Sequence, residues 1–73
     1  MVMFRDMTMR IERTGIAYLH YIVEGYDGLA SVSTVDASAG IVRLSFDGSR
    51  QDTLDELISA LRTEGLIREV RDT

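Results

Sequence analysis

The sequence predicts an α+β fold in which a four-stranded sheet is covered by two helices. Three observations support it: apolar and polar residues alternate in several short runs, two other segments repeat apolar residues with a helical period, and glycines separate these segments. A chain of 73 residues has room for one core, so residues 1–73 are assigned to a single domain.

The first half of the chain predicts a strand, a helix and the start of a hairpin. Met7, Met9 and Ile11 alternate with polar residues, as in a half-buried strand. A helix is expected to begin at Thr14, whose hydroxyl would cap its first turn, and to end at Gly25 in a left-handed conformation. Its apolar stripe consists of Ile16, Leu19, His20, Ile22 and Val23.

A hairpin is predicted next. The turn Tyr26–Gly28 leads into a strand over Leu29–Asp36, and a short loop with Gly40 leads into a second strand over Ile41–Phe46. Two alternating runs joined by a short loop that contains glycine are typical of a hairpin. The residues expected to face the helices are Ala30, Val32, Val42, Leu44 and Phe46.

The last third of the chain predicts a helix and a strand. Ser49 and Asp52 resemble a capping box at the start of this helix, and Gly65 ends it. A final strand is expected over Leu66–Val70. Leu54, Leu57, Ile58 and Leu61 repeat with the helical period and are expected to be buried. The solvent-exposed face is expected to show Asp55, Glu56, Ser59 and Arg62.

The predicted order is therefore strand, helix, strand, strand, helix, strand. With right-handed crossovers this order gives a ferredoxin-like βαββαβ sandwich, in which both helices cover one face of an antiparallel sheet. The helix-free face would show Ser31, Ser33 and Ser45 together with Arg10 and Arg43. We interpret these as solvated arginines offset by Glu12 and the cross-strand serines, and the alternative is a binding surface for an anion or a partner protein.

Composition excludes several classes of function. The net charge is −4, and eight scattered arginines face twelve acidic residues, so neither nucleic acid nor an anionic membrane is expected as a partner. Without cysteine, disulfides and thiolate metal sites are excluded. The chain shows no signal-peptide pattern and no apolar run of about 20 residues, which predicts a cytoplasmic protein.

No residue pattern indicates catalysis, a metal or a cofactor. His20 is the single histidine, and we interpret it as a boundary residue paired with a backbone group. Asp55 and Glu56 are adjacent on a helix and so do not face each other as a catalytic pair would. Asp27, Asp36 and Asp47 border turns, where the aspartate side chain bonds to the local backbone.

Small size predicts self-association. Below about 70–80 residues a single core rarely supplies more than ~3–5 kcal/mol, so a homodimer is expected. Tyrosine buries a ring while its hydroxyl stays wet, which makes Tyr18, Tyr21 and Tyr26 candidate interface residues. The edge strand Leu29–Asp36 is the other candidate contact, and simple coverage of a small core is the alternative explanation for the tyrosines.

The run Glu12-Arg13-Thr14-Gly15-Ile16 resembles the end of the first strand in ACT domains, which have this βαββαβ order. Gly25-Tyr26 and the strand after it are also similar to that family. The resemblance implies a small metabolite, an amino-acid-like anion, bound between subunits at Arg13, Thr14, Gly15 and Ile16. Thr14 stands where the family has proline, and the alternative is that Thr14 and Gly15 only cap the helix.

The run from Glu24 to Ala30 also resembles an uncharacterised family of short bacterial proteins of unknown function. Together these observations predict a non-enzymatic, ACT-like regulatory or interaction domain that binds a small metabolite or a partner protein. The alternative is a structural protein–protein interaction module without a ligand.

Overall fold

The computed structural model describes residues 3–26 and 29–72. Short 3₁₀ turns over Arg13–Gly15 and Gly48–Arg50 precede the two helices. The strands and helices, in chain order, are β1 Phe4–Ile11, α1 Ile16–Gly25, β2 Ala30–Asp36, β3 Ile41–Asp47, α2 Gln51–Thr63 and β4 Ile67–Asp72. The predicted order of elements is confirmed. The predicted turn at Asp27 and Gly28 lies outside the described residues.

The four strands form one antiparallel sheet in the order β2-β3-β1-β4. The central pair is β1 with β3, where Met7 lies opposite Leu44 and Met9 opposite Val42. The two edge strands are β2 and β4, and a register shift interrupts the pairing of each with its neighbour. This topology confirms the ferredoxin-like fold.

One apolar cluster joins one face of the sheet to both helices. Its strand members include Met9 and Leu44, and its helix members include Leu19 from α1 and Leu54 from α2; each is no more than 1% exposed. The alternation of β1 and β3 therefore places the helices on the predicted face. Ala30 and Val32 of β2 are half-buried against the cluster.

Three of the predicted helix ends are wrong. Thr14 does not cap α1, because the chain first makes the 3₁₀ turn and the helix begins at Ile16 without a side-chain cap. Gly25 is the last helical residue and has no left-handed conformation. The Ser49 hydroxyl caps nothing; instead Asp47 accepts a hydrogen bond from the Ser49 backbone N–H at 3.0 Å.

The end of α2 is as predicted. Gly65 has φ +86°, its N–H donates to the Arg62 carbonyl, and the Leu66 N–H donates to the Leu61 carbonyl at 3.0 Å. This double hydrogen bond is the Schellman motif, which needs a left-handed residue at the position of Gly65. Since Leu66 takes part in that motif, β4 begins at Ile67, one residue later than predicted.

The predicted turn aspartates are confirmed where they are described. In the β2–β3 turn, Asp36 Oδ1 accepts hydrogen bonds from the Ser38 N–H, the Ser38 hydroxyl and the Ala39 N–H. These bonds, the hydroxyl's first, hold the pKa of Asp36 below its usual value of 3.8. No helix within residues 3–26 and 29–72 is long and apolar enough to cross a membrane.

Candidate functional site

The loop predicted to bind a ligand folds as a tight 3₁₀ turn. Arg13 and Thr14 are exposed, and Gly15 is buried. The Gly15 N–H donates to the Glu12 carbonyl at 2.8 Å, and the Ile16 N–H donates to the Arg13 carbonyl. These two N–H groups therefore already donate hydrogen bonds within the turn. A ligand would have to bind through the side chains or backbone of Arg13 and Thr14.

Gly15 has a packing explanation in this turn. A Cβ atom at this position would lie 2.1 Å from Cδ1 of Leu66, which is much closer than van der Waals contact. The Glu12 N–H also donates to the Leu66 carbonyl at 3.1 Å. Leu66 thus closes the turn from the far end of the chain, and the absence of a side chain at Gly15 makes room for it.

The outward face of α1 is almost uncharged. Tyr18 is 51% exposed and Tyr21 is 77% exposed, and Ala17 beside them is also exposed. Tyr26, just beyond the helix, is 43% exposed. Glu24 is the one ionisable carboxylate on this helix. The structure places the predicted interface residues on the surface, where a partner can reach them.

His20 lies where α1 meets β2. The prediction that it pairs with a backbone group is wrong. Its Nε2 is 3.5 Å from the Thr34 hydroxyl, and its Nδ1 is 3.8 Å from a carboxylate oxygen of Glu24. Both neighbours are side chains. Because Thr34 belongs to β2, these contacts show that the His20–Glu24 side of α1 faces the β2 edge of the sheet.

The helix-free face of the sheet carries paired charges. Arg10 and Arg43 are exposed there, as predicted. Arg10 lies 3.6 Å from Glu69, whereas Glu12 pairs with Arg68. The predicted role of Glu12 is therefore wrong, because the bulge between Arg10 and Ile11 brings β4 residues beside both groups. Within the described residues, no three His, Asp or Glu side chains could hold a metal ion.

A cleft between α2 and β4 was not predicted from the sequence. It has a volume of about 350 Å³, and its polar residues come from one stripe of α2. Residues four apart on a helix share a face, so this stripe was readable from the sequence, but its position beside β4 was not. The lining residues are Met7, Gln51, Asp55, Ile58, Ser59, Arg62 and Val70.

Comparison with protein families gives one match. Residues 9–64 match the model of a domain of unknown function, DUF4911. The chain belongs to this family. No curated protein and no solved structure matches it. The DUF4911 match runs from the middle of β1 to the end of α2, and so includes the 3₁₀ turn, the outward face of α1 and the polar stripe of the cleft.

Proposed function

We propose that this DUF4911 protein is a non-enzymatic interaction domain that acts as a homodimer, with β2 and α1 of one copy against β2 and α1 of the other. The observation that carries the proposal is an edge strand without charge protection. From Ala30 to Val35, β2 contains no charged residue and no proline. Natural sheets usually protect a free edge with such residues or with a bulge, because an unprotected edge pairs with another strand. The register shift of β2 lies at its far end, between Thr34 and Asp36, so the edge from Ala30 to Thr34 is regular.

The position of α1 supports a second copy as the occupant of this edge. His20 faces the β2 edge through Thr34, and Tyr21 lies one residue further round the helix, about 100° away. Pairing β2 with β2 would therefore bring the His20–Glu24 sides of the two α1 helices next to each other, with Tyr21 on the neighbouring outward face. A domain of 73 residues gains most from such support, since its own core is small.

Light scattering of the wild-type protein and of a variant with a charge on the β2 edge tests the dimer. The wild-type protein is expected at twice its 8.2 kDa chain mass at micromolar concentration. Ser33→Lys places a lysine in the middle of β2, and we expect a monomer because like charges would meet across the pair. The matched control is Ala60→Lys on the exposed side of α2, which should remain a dimer. A monomeric wild-type protein would refute the proposal.

A second candidate function is the ACT-like binding of a small anionic metabolite at Arg13–Ile16. One observation favours it: the exposed Arg13 forms no ion pair with any side chain of the described residues, so its guanidinium is open to a carboxylate. Calorimetric titration with N-acetylated amino acids, which carry the carboxylate without the ammonium group, should then give heat that Arg13→Gln removes and Arg43→Gln, on the helix-free face, leaves unchanged. Absence of heat with the wild-type protein would favour the ligand-free interaction module.

A further inference from the structure

The cleft between α2 and β4 has an apolar floor. Met7 of β1 is 4% exposed and Ile58 of α2 is 7% exposed, and Val70 of β4 is half-buried beside them. These three side chains also belong to or pack against the main core. The floor is consequently held in place by the fold itself and gives an apolar group a fixed surface to contact.

One end of the cleft carries an oriented carboxylate. Arg5 Nη1 donates to Gln51 Oε1 at 2.8 Å, which fixes the direction of the Gln51 amide. That amide presents its Nε2 to Asp55 Oδ1 at 3.4 Å. The chain of contacts positions Asp55 at the rim, and its second carboxylate oxygen remains an acceptor for a cation.

The other end of the cleft carries a cation. Arg62 follows Asp55 by seven residues on α2, which puts the two on the same face about 10 Å apart along the helix axis. The described structure contains no ion pair between them. The long arginine side chain can lean toward Asp55, because helical side chains point toward the helix N-terminus.

We propose that this cleft binds a small zwitterion with an aliphatic side chain, an α-amino acid such as leucine. Its ammonium would contact Asp55, its carboxylate would contact Arg62, and its side chain would lie on the floor of Met7, Ile58 and Val70. A charge-assisted hydrogen bond of about 2.8 Å at each end lets such a molecule bridge the two side chains.

The pair of opposite charges selects this ligand class. A simple anion would be attracted by Arg62 but repelled by Asp55, and a simple cation would meet the reverse. A neutral apolar molecule would contact the floor but gain nothing from either charged group. This site is distinct from Arg13–Ile16, and it does not depend on dimer formation.

The test is an NMR titration of the ¹⁵N-labelled protein with L-leucine up to about 10 mM, a range that detects millimolar affinity. We expect amide shifts at Ile58, Ser59 and Val70. Asp55→Asn and Arg62→Gln should each weaken binding at least tenfold, whereas the neighbouring control Glu56→Gln should bind like the wild-type protein. Circular dichroism confirms that each variant is folded.

Two leucine analogues test the same idea on the unaltered protein. N-acetyl-leucine lacks the ammonium group and leucinamide lacks the carboxylate, so each should bind at least tenfold more weakly than leucine. Absence of shifts with leucine, equal binding of the analogues, or shifts centred on Arg13–Ile16 would overturn the proposal. The last result would support the metabolite site at the 3₁₀ turn, and none of them bears on the dimer.

Discussion

The two helices pack against the sheet in the same way on their inner sides, but their outer sides differ in composition. Leu19 and Val23 of α1 and Leu54 and Leu61 of α2 are all buried against the same sheet. Outward, α1 shows tyrosine and alanine, whereas α2 shows the charged side chains of Asp52, Asp55, Glu56 and Arg62. Covering a sheet requires only an apolar inner stripe. The residues of the outer face are therefore free to differ between the two helices.

The two edge strands differ in the same sense as the helices beside them. The edge of β2 is uncharged from Ala30 to Val35, whereas β4 carries Arg68 and Glu69. This contrast is the basis of the two proposals, a second copy of the chain at the β2 side and a zwitterion at the β4 side. The following predictions test this contrast.

The largest effect is expected where the two helices are alike. Leu19→Ala and Leu54→Ala should each lower the free energy of unfolding by about 3 kcal/mol, because both side chains are essentially fully buried and leave a cavity. Urea denaturation at fixed protein concentration measures both. Ser59→Ala, on the exposed side of α2, should change it by less than about 0.5 kcal/mol. A small loss at either leucine would show that its helix is not packed as described.

The next effect distinguishes two left-handed glycines. Gly40 has φ +72°, and a Cβ there would lie 2.2 Å from the Ile11 carbonyl oxygen. Gly65 has φ +86° but no atom within 4 Å of its Cβ position. Gly40→Ala should therefore cost about 3 kcal/mol or more, and Gly65→Ala about 1 to 2 kcal/mol. Equal losses in urea denaturation would mean that the β2–β3 turn moves freely.

A third prediction concerns a substitution that gives the outer face of α1 a charge, as on α2. Tyr21 is 77% exposed, so Tyr21→Glu should leave the isolated fold intact. In the proposed dimer it places charge beside the partner helix, and we expect the dissociation constant to rise at least tenfold, about 1.4 kcal/mol. Analytical ultracentrifugation measures the constant, with Glu56→Gln on α2 as the control. An unchanged constant would exclude the outer face of α1 from the interface.

The smallest effect concerns the turn beside β2. Ser38→Ala removes the hydroxyl that is the main cause of the lowered pKa of Asp36, so that pKa should rise toward 3.8 in an NMR titration. A carboxyl whose folded-state pKa is lowered stabilises the fold above its unfolded pKa, and this contribution is lost as the pH falls through the folded value. Ser59→Ala should leave the pKa of Asp36 unaltered. A titration unchanged by Ser38→Ala would assign the shift to the backbone N–H groups.

Sequence reasoning succeeded where neighbours along the chain decide the structure. The alternation at Met7, Met9 and Ile11 predicted the buried face of β1, and Gly65 predicted the end of α2. It failed at Thr14 and Ser49, because both residues fit a capping pattern that a preceding 3₁₀ turn made unnecessary. A capping pattern shows that a side chain is able to cap, while the path of the chain into the helix decides whether it does.

By itself, the sequence determined the order of elements, the inner faces of strands and helices, and the left-handed end of α2, since periodicity and glycine act within a few residues. Only the tertiary structure decided which side chain fills the space beside Gly15, which side chains meet His20, and that the α2 stripe borders a cleft beside β4. Each of those depends on Leu66, Thr34 or Val70, residues distant in sequence that are brought close when the sheet is assembled.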